Sequence, residues 1–421
     1  MARLLVLFVT AFVDMVGLTM IIPLLPFYAT KLGASATWVG VLVSAFSVAQ
    51  LVVAPQWGRF SDRYGRRPAI LAGLLLTACA YVIFAFAGSV LVLLISRLVQ
   101  GLGGGTIGVV QAYVADASPP ERRTKSLGWL SAVTSLGAVA GPAFGSVMIH
   151  IGGREAPGIA AAALALLVAG FAARFLVESR QLGVTGSHAI LSTTSPRQAI
   201  ARVLSHWREP ASRLIWIYTI GIGAFYGTIQ VVPLLLMNRF GVTERNIGYF
   251  VMYLGGMGVV VRSLLLGRAL DLLGEARLCR LGLVLLAAGL GCTGLASHAG
   301  LVFLGFTLMP LGTAFLFPCV TGLLSRVVPG NEQGLYMGVQ HTFGGVSRVL
   351  FPVAAGLLMD HFGVGVPFWI SGLLVLATLP FAWALAGSLS AESPATIAVR
   401  MVSSADVTGE FPVQKVVEDE H

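Results

Sequence analysis

Two ionisable residues lie alone inside long apolar runs, and they are the first candidates for chemistry. Asp14 lies in the run from 4 to 29, and Arg97 lies in the run from 90 to 115. Each run is long enough to cross a bilayer, where a charged group is costly unless it has a partner or a function. An apolar environment favours the protonated form of a carboxyl group. Asp14 is therefore predicted to be a proton-coupling group, with helix packing as the alternative.

Arg97 needs a counter-charge or a water-filled cavity at that depth. Few other acids lie as deep in any apolar run. Asp14 is therefore its predicted partner.

A polar turn separates the second and third apolar runs, reading Gly-Arg-Phe-Ser-Asp-Arg-Tyr-Gly-Arg-Arg from 58 to 67. Gly58 and Gly65 permit a tight reversal, and Asp62 can accept hydrogen bonds from arginines or cap a helix. The arginines can also pair with acids across an interface between helical bundles. This cluster is predicted to be a conformational latch, whereas simple anchoring at a membrane face would explain only the arginines.

A third pattern is the glycine repeat Gly137, Gly141 and Gly145, which places three glycines on one helical face and permits close helix contact. Pro142 frees a backbone carbonyl and bends the helix. Tight packing alone accounts for this pattern physically.

The elements that must position these residues are membrane spans. Of the 421 residues, 56% are hydrophobic and only 11% are charged, which excludes a soluble domain of this size. The sequence predicts an all-α polytopic membrane protein that contacts the lipid bilayer. Twelve spans are expected, at about 4–29, 37–56, 68–88, 90–115, 126–149, 157–177, 212–237, 246–266, 278–297, 300–324, 335–359 and 363–387.

The basic residues predict the orientation. Eighteen Lys and Arg residues fall in segments on the side of the polar turn, and four fall on the other side: Lys31, Arg154, Arg239 and Arg245. The positive-inside rule makes the first side, with both termini, cytoplasmic. The net charge of +9 thus reflects topology, and no nucleic-acid partner is expected.

The chain is predicted to contain two bundles, 1–177 and 211–387, a cytoplasmic linker at 178–210 with an amphipathic piece near 199–207, and a mobile cytoplasmic tail at 388–421. The halves resemble each other at an offset of about 210 residues; for example, Pro23 matches Pro233 and Pro142 matches Pro352. Parallel repeats of this kind favour a central cavity between two bundles that rock against each other.

Together these motifs resemble the major facilitator superfamily over all twelve spans. The polar turn resembles its cytoplasmic signature, and Arg97-Leu98-Val99-Gln100-Gly101 resembles its span-four arginine motif. Asp14 with the following Ile22-Pro23-Leu24-Leu25-Pro26 resembles span one of tetracycline-exporter-like members, and the glycine repeat resembles the span-five antiporter motif. These resemblances narrow the family to its twelve-span drug/proton antiporter branch.

The resemblance implies roles for particular residues. Arg97 would take part in proton transfer with Asp14, and the span-five motif would comprise Gly137, Gly141, Pro142 and Gly145. The latch would stabilise the outward-facing state and comprise Gly58, Asp62, Arg63, Gly65, Arg66, Arg67 and, in span four, Asp116.

Polar and aromatic residues within the spans are expected to line the substrate cavity: Gln50, Gln100, Gln111, Tyr113, Phe225, Tyr226, Gln230, Gln340 and His341. With a single acid and a mainly apolar, aromatic and amide lining, such a cavity suits an amphipathic or weakly cationic organic solute. Span three lacks the acid that tetracycline exporters carry there, which argues against tetracycline itself.

The expected function is proton-coupled export of a small organic compound by alternating access, performed by a monomer in a bacterial inner membrane. Uptake by symport or facilitated diffusion is one alternative, and a non-transporting membrane sensor on the same scaffold is another. No phosphate loop, nucleophile constellation or metal-ligand cluster indicates an enzyme, a cofactor or a metal site.

Overall fold

The computed structural model describes residues 2–119, 122–178, 195–330 and 332–384, and this part of the chain is helical with connecting turns. Residues 179–194 of the predicted linker and all of the predicted tail at 388–421 lie outside the described residues. The helices of the first half are α1 (Ala2–Ile21), a 3₁₀ turn (Ile22–Leu24), α2 (Leu25–Lys31), α3 (Ala36–Tyr64), α4 (Arg66–Ala85), α5 (Val90–Gly104), α6 (Ile107–Asp116), α7 (Arg123–Gly152) and α8 (Ala156–Phe175).

The second half repeats this pattern after a short connecting helix. Its helices are α9 (Pro196–Ser205), α10 (Pro210–Phe240), α11 (Ile247–Val260), a π-helical segment (Val261–Leu265), α12 (Leu266–Leu295), α13 (Ala299–Val327), α14 (Gln333–Phe362) and α15 (Val366–Ala377). The predicted amphipathic piece corresponds to α9, which begins with a capping box at Ser195 and buries Ala199 and Val203.

Local sequence sets where the long helices begin and end. The hydroxyls of Ser35 and Ser89 accept hydrogen bonds from backbone N–H groups in the first turns of α3 and α5. α3 ends at Gly65, whose φ of 107° is a conformation that favours glycine.

Within the described residues, eleven helical stretches are long and apolar enough to cross a membrane. One of them, Ile247–Leu295, covers 49 residues and contains two of the predicted spans. The chain reverses inside this stretch at Gly274, which has φ 71° and ψ 163°. The predicted fold of twelve membrane-crossing helices is therefore confirmed.

Gly274 is the counterpart of Gly65, which ends α3 with φ 107° and ψ 158° and lies 209 positions earlier. Each half thus reverses direction between its second and third spans at a glycine of similar conformation. This agreement supports the internal repeat that the sequence predicts.

The two bundles contact each other along two seams, which pair α3 with α14 and α7 with α11. In the first seam, a Cβ added to Gly40 would collide with the carbonyl oxygen of Pro352. In the second, a Cβ added to Gly248 would collide with the carbonyl oxygen of Pro142. The repeat relates these contacts, since Gly40 precedes Gly248 by 208 positions and Pro142 precedes Pro352 by 210.

Both seams lie toward the end of the molecule opposite the polar turn. We call the end that carries residues 58–67 the arginine end, and the other end the seam end. At the seam end, Asp360 of α14 accepts hydrogen bonds from the backbone N–H groups of Ala36 and Thr37 at 2.9 and 2.8 Å. It thereby caps the N-terminus of α3 across the bundle interface.

Gly248→Ala should weaken the seam end, because the added methyl group meets backbone of α7 that cannot move aside alone. We expect a loss of about 1–3 kcal/mol of stability, typical of overpacking, measured as a lower Tm of the purified protein in detergent. Gly170→Ala in α8 is the matched control, since its methyl group would enter open space. Equal Tm changes in the two variants would contradict the seam contact.

Candidate functional site

A central cavity of about 310 Å³ lies between the two bundles. Side chains from both halves line it, so movement of one bundle relative to the other changes its shape. Its lining comprises Met15, Leu18, Thr19, Ile22, Leu25, Val43, Phe46, Ser47, Gln50, Arg97, Ile107, Ala138, Tyr226, Gln230, Arg348 and Pro352.

A second cavity of about 420 Å³ adjoins the first and shares Ser47, Gln50, Ile107 and Arg348 with it. It also lies between Ala54, in the half of α3 nearer the arginine end, and His341 of α14. Toward the seam end the same two helices are in close contact. The space between the bundles therefore widens toward the arginine end.

Four predicted cavity residues, Gln50, Tyr226, Gln230 and His341, line these two cavities. A fifth, Phe225, packs edge-on against Tyr226 with ring centroids 5.5 Å apart.

Gln100, Tyr113 and Gln340 stay outside the central cavity and are buried within single bundles. The Tyr113 hydroxyl donates to the carbonyl of Val177, and the Gln340 amide donates to Thr321 at 3.3 Å. The sequence predicts these three residues in the cavity because they are polar residues in apolar runs. Polarity alone does not show whether a side chain faces the cavity or a neighbouring helix of its own bundle.

Asp14 and Gln111 line a third cavity of about 620 Å³, between α1, α6 and α7 of the first bundle. Ser131 and Thr134 contribute hydroxyl groups to this cavity. It shares Met15 and Ile107 with the central cavity. Asp14 is thus adjacent to the central cavity and does not line it.

The predicted pairing of Asp14 with Arg97 is wrong in this conformation. Among the ion pairs of the described residues none joins them, and their side chains line different cavities. Tyr81 of α4 lies close enough to feel both charges, and it packs beside Gly17, one turn after Asp14. A buried tyrosine is therefore near both the acid and the arginine.

Arg97 is only 2% exposed, and its guanidinium lies 5.5 Å from the centre of the Phe84 ring. Its Nε and Nη2 atoms have no hydrogen-bond partner among the described residues. Arg348 of the second bundle reaches the same cavity, although its place in an apolar run gave no sign of this. The expected cavity with a single acid is therefore incorrect, since its lining has two arginines and neither Asp nor Glu among the described residues.

The predicted latch residues come together at the arginine end. Arg66 contacts Asp62 at 2.9 Å and Asp116 at 3.2 Å, which joins α3, α4 and α6. These two acids belong to the first bundle, so the ion pairs lie within it. Among the ion pairs of the described residues at this end, none joins the two bundles as the sequence suggests.

Glu178 is a functional candidate that sequence reasoning missed. Its carboxylate accepts hydrogen bonds from the backbone N–H groups of Arg66 and Arg67 at 2.9 and 3.1 Å. It thus caps the N-terminus of α4, where a negative charge is favourable. Glu178 follows α8 in the sequence, and only tertiary contact brings it to the turn.

The second half contains a charge-reversed copy of one latch contact. Glu275 and Arg326 form an ion pair at 2.8 Å. They lie 209 and 210 positions after Arg66 and Asp116, so the acid and the base have exchanged places. The repeat has preserved the contact between these positions while reversing its charges.

The glycine repeat of α7 faces α1 within the first bundle. A Cβ at Gly137 would lie 2.6 Å from the carbonyl oxygen of Phe12, and one at Gly141 would collide with Thr19. Ser146 contacts the other bundle, since its hydroxyl donates to the carbonyl of Glu244 at 3.2 Å and accepts from the N–H of Gly248 at 3.0 Å. Ser146 therefore belongs to the α7–α11 seam.

The sequence profile described as Major Facilitator Superfamily matches residues 7–265 and 256–404. The chain belongs to the Major Facilitator Superfamily. It is a multi-pass membrane transporter and not an enzyme, and its helical architecture is the one expected of this superfamily.

Relatives of this chain include drug-resistance proteins, as the motifs predicted. Multidrug resistance protein 2 of Bacillus subtilis is 30% identical over 87% of this chain and 91% of its own length. The class B tetracycline resistance protein of Escherichia coli is 27% identical over 86% of this chain and 88% of its own. The crystal structure of the human organic anion transporter MFSD10 has the same fold, with a TM-score of 0.65 and 23% identity over 90% of this chain and 99% of that one.

A further cross-bundle contact at the seam end is the ion pair between Lys31 and Glu244. Burial alone would raise the pKa of Glu244, but the hydrogen bond and charge of Lys31 outweigh it, and the pKa lies below its ordinary value. A lowered pKa means that the ionised acid stabilises the contact. This stabilisation is complete above the ordinary glutamate pKa and is lost as the pH falls through the lowered value.

Lys31→Gln should make the seam end open more readily at neutral pH and remove the effect of acidification. Because exposed ion pairs contribute under about 1 kcal/mol, we expect a change of up to about fivefold. The measurement is the maleimide labelling rate of Leu25→Cys, in a background without the four native cysteines. Lys125→Gln, at the arginine end, is the control, and identical pH profiles for Lys31→Gln and the parent would rule out this role of the pair.

Proposed function

We propose that this transporter exports a small amphipathic organic compound in exchange for protons, by exposing the central cavity alternately to the two sides of the membrane. The observation that carries the proposal is the arrangement of the cavities. A membrane-embedded acid, Asp14, occupies a cavity next to one that both bundles line. A change in the charge of an acid in this position can alter how closely the two bundles approach each other.

The distribution of basic residues among the loops supports outward transport of the substrate. With the arginine end cytoplasmic, the described conformation is open toward the cytoplasm and closed at the seam end. Substrate would enter the central cavity from the cytoplasm, and Asp14 would release its proton to the same side. The names of the relatives, which are multidrug and tetracycline resistance proteins, agree with outward transport.

The proton and the substrate occupy neighbouring cavities and need not compete for a single site. Enclosing an ionised carboxylate without water is costly. The bundles can therefore close over the cavities after Asp14 binds a proton, or after a substrate that contacts both bundles offsets the cost. An empty protein with an ionised Asp14 stays open, which prevents protons from leaking without export.

Proton-coupled uptake is the second candidate, and the two arginines of the central cavity favour it. A proton and an anion attract each other, so a protein with a cationic binding site can carry them together. The two functions differ in the direction of proton flow relative to substrate flow.

Asp14→Asn should abolish substrate-driven proton movement, because an amide cannot bind and release a proton at neutral pH. Proteoliposomes containing the dye pyranine report the internal pH after an inward substrate gradient is applied. The panel comprises tetraphenylphosphonium, a neutral naphthyl alcohol and a naphthyl carboxylate. In the parent protein, exchange makes the interior alkaline and uptake makes it acidic, whichever way the protein is inserted.

Asp271→Asn is the matched control, since Asp271 is exposed in α12 and lines none of the three cavities. It should retain the proton signal of the parent. Full proton movement in Asp14→Asn would remove Asp14 from the coupling mechanism. Acidification of the vesicle interior with the parent protein would contradict proton-coupled export and support proton-coupled uptake.

A further inference from the structure

We propose that the central cavity is a binding site for organic anions, with one guanidinium from each bundle holding the anionic group. This inference rests on the proposed transport function and names its substrate class: an aromatic or other apolar body that carries a carboxylate, sulfonate or phosphate. It replaces the weakly cationic solute that the sequence suggests.

Arg97 provides the first half of the site. It is 2% exposed, it lines the cavity, and two of its nitrogen atoms lack a partner among the described residues. Buried N–H groups without acceptors are costly, and a charged donor pairs best with an anionic oxygen. A ligand anion would supply these acceptors, and a guanidinium can bind it in bidentate fashion.

Arg348 provides the second half from α14. Its Nε donates to the carbonyl of Gly344 at 3.3 Å, and its guanidinium lies 5.8 Å from the centre of the Tyr226 ring. These contacts hold the side chain where it lines both the central cavity and the second cavity. It is half-buried, so its charge is less screened than that of a surface arginine.

The rest of the lining does not neutralise these two charges. In the described part of the chain, neither Asp nor Glu lines the central or the second cavity. Asp14 lies in the neighbouring third cavity. A cationic ligand in the central cavity would therefore meet two like charges without a counter-charge, whereas an anion would meet two opposite charges.

Apolar side chains complete the site. Leu18, Ile22, Val43 and Phe46 line the central cavity beside Tyr226, and Gln230 adds an amide. A volume of about 310 Å³ with an adjoining 420 Å³ suits one drug-sized molecule. The anionic group would bridge α5 and α14, so binding would draw the two bundles toward each other.

The test compares three ligands that share a naphthyl group and differ in a terminal group that is anionic, neutral or cationic: 2-naphthylacetate, 2-naphthylethanol and 2-naphthylethylammonium. Their binding to the purified full-length protein in detergent is measured by isothermal titration calorimetry. The carboxylate should bind at least about tenfold more tightly than the alcohol, and the ammonium more weakly than the alcohol. Ionic hydrogen bonds of ordinary strength predict this difference.

Arg348→Gln should lower the affinity for the carboxylate about tenfold and leave that for the alcohol nearly unchanged, whereas Arg348→Lys should retain part of the preference. Arg97→Gln should have the same selective effect. The matched control is Arg262→Gln, because Arg262 is exposed in the π-helical segment and lines none of the three cavities. It should bind all three ligands as the parent does.

Equal affinities for the three ligands, or tightest binding of the ammonium, would overturn the proposal. So would equal losses of carboxylate and alcohol affinity in Arg348→Gln. Because the readout is binding, a failure here leaves proton-coupled export of neutral or cationic compounds open. Conversely, selective anion binding without any proton movement in proteoliposomes would contradict the proposed export and leave the anion site standing.

Discussion

The close contact of two proline carbonyls with two glycines is the constraint on which the architecture depends. The carbonyl oxygens of Pro142 and Pro352 occupy the space that Cβ atoms at Gly248 and Gly40 would need. Only glycine permits these approaches, and both lie on the same side of the central cavity. The bundles therefore meet closely at the seam end and diverge toward the arginine end. This divergence leaves space for the central cavity and the second cavity between them.

Polar contacts at the seam end add to this packing, but they are weak enough for the seam to open. Asp360 caps α3 from the other bundle, Ser146 joins α7 to α11, and Lys31 pairs with Glu244. Hydrogen bonds and exposed ion pairs of this kind each contribute modestly, so water can replace them when the seam opens. At the arginine end, the ion pairs of Arg66 lie within one bundle and leave the other bundle free to move relative to it.

The distribution of charge around the cavities gives the site its chemical character. Asp14 lines the third cavity, whereas Arg97 and Arg348 both line the central cavity. In the proposed function, protonation of Asp14 and binding of a substrate are coupled through the position of the bundles, and Tyr81 lies near both the acid and Arg97. This separation also explains why the substrate cavity can be cationic although the protein contains a membrane-embedded acid.

Much of the fold could be predicted from the sequence, because apolar run length, basic loops and the repeat are local properties of the chain. The motifs also grouped Arg66 with Asp116, and these two side chains form an ion pair, whereas the role of Asp14 stays a prediction. The prediction from sequence missed Arg348 as a cavity residue and paired Asp14 with Arg97, because run length does not give the rotation of a helix about its axis. Glu178 and Asp360 escaped notice because each caps a helix distant in the sequence.

The central claim is that the two ends of the molecule open alternately, and two distances measured in one protein population test it most directly. Nitroxide labels on Tyr64→Cys with Leu272→Cys report the arginine end, and labels on Ile151→Cys with Tyr249→Cys report the seam end, each in a background without native cysteines. Double electron–electron resonance in lipid nanodiscs measures both pairs while the pH is lowered or substrate is added. We predict that the arginine-end distance shortens as the seam-end distance lengthens, with matching changes in population. A change at one end without the opposite change at the other would contradict alternating access.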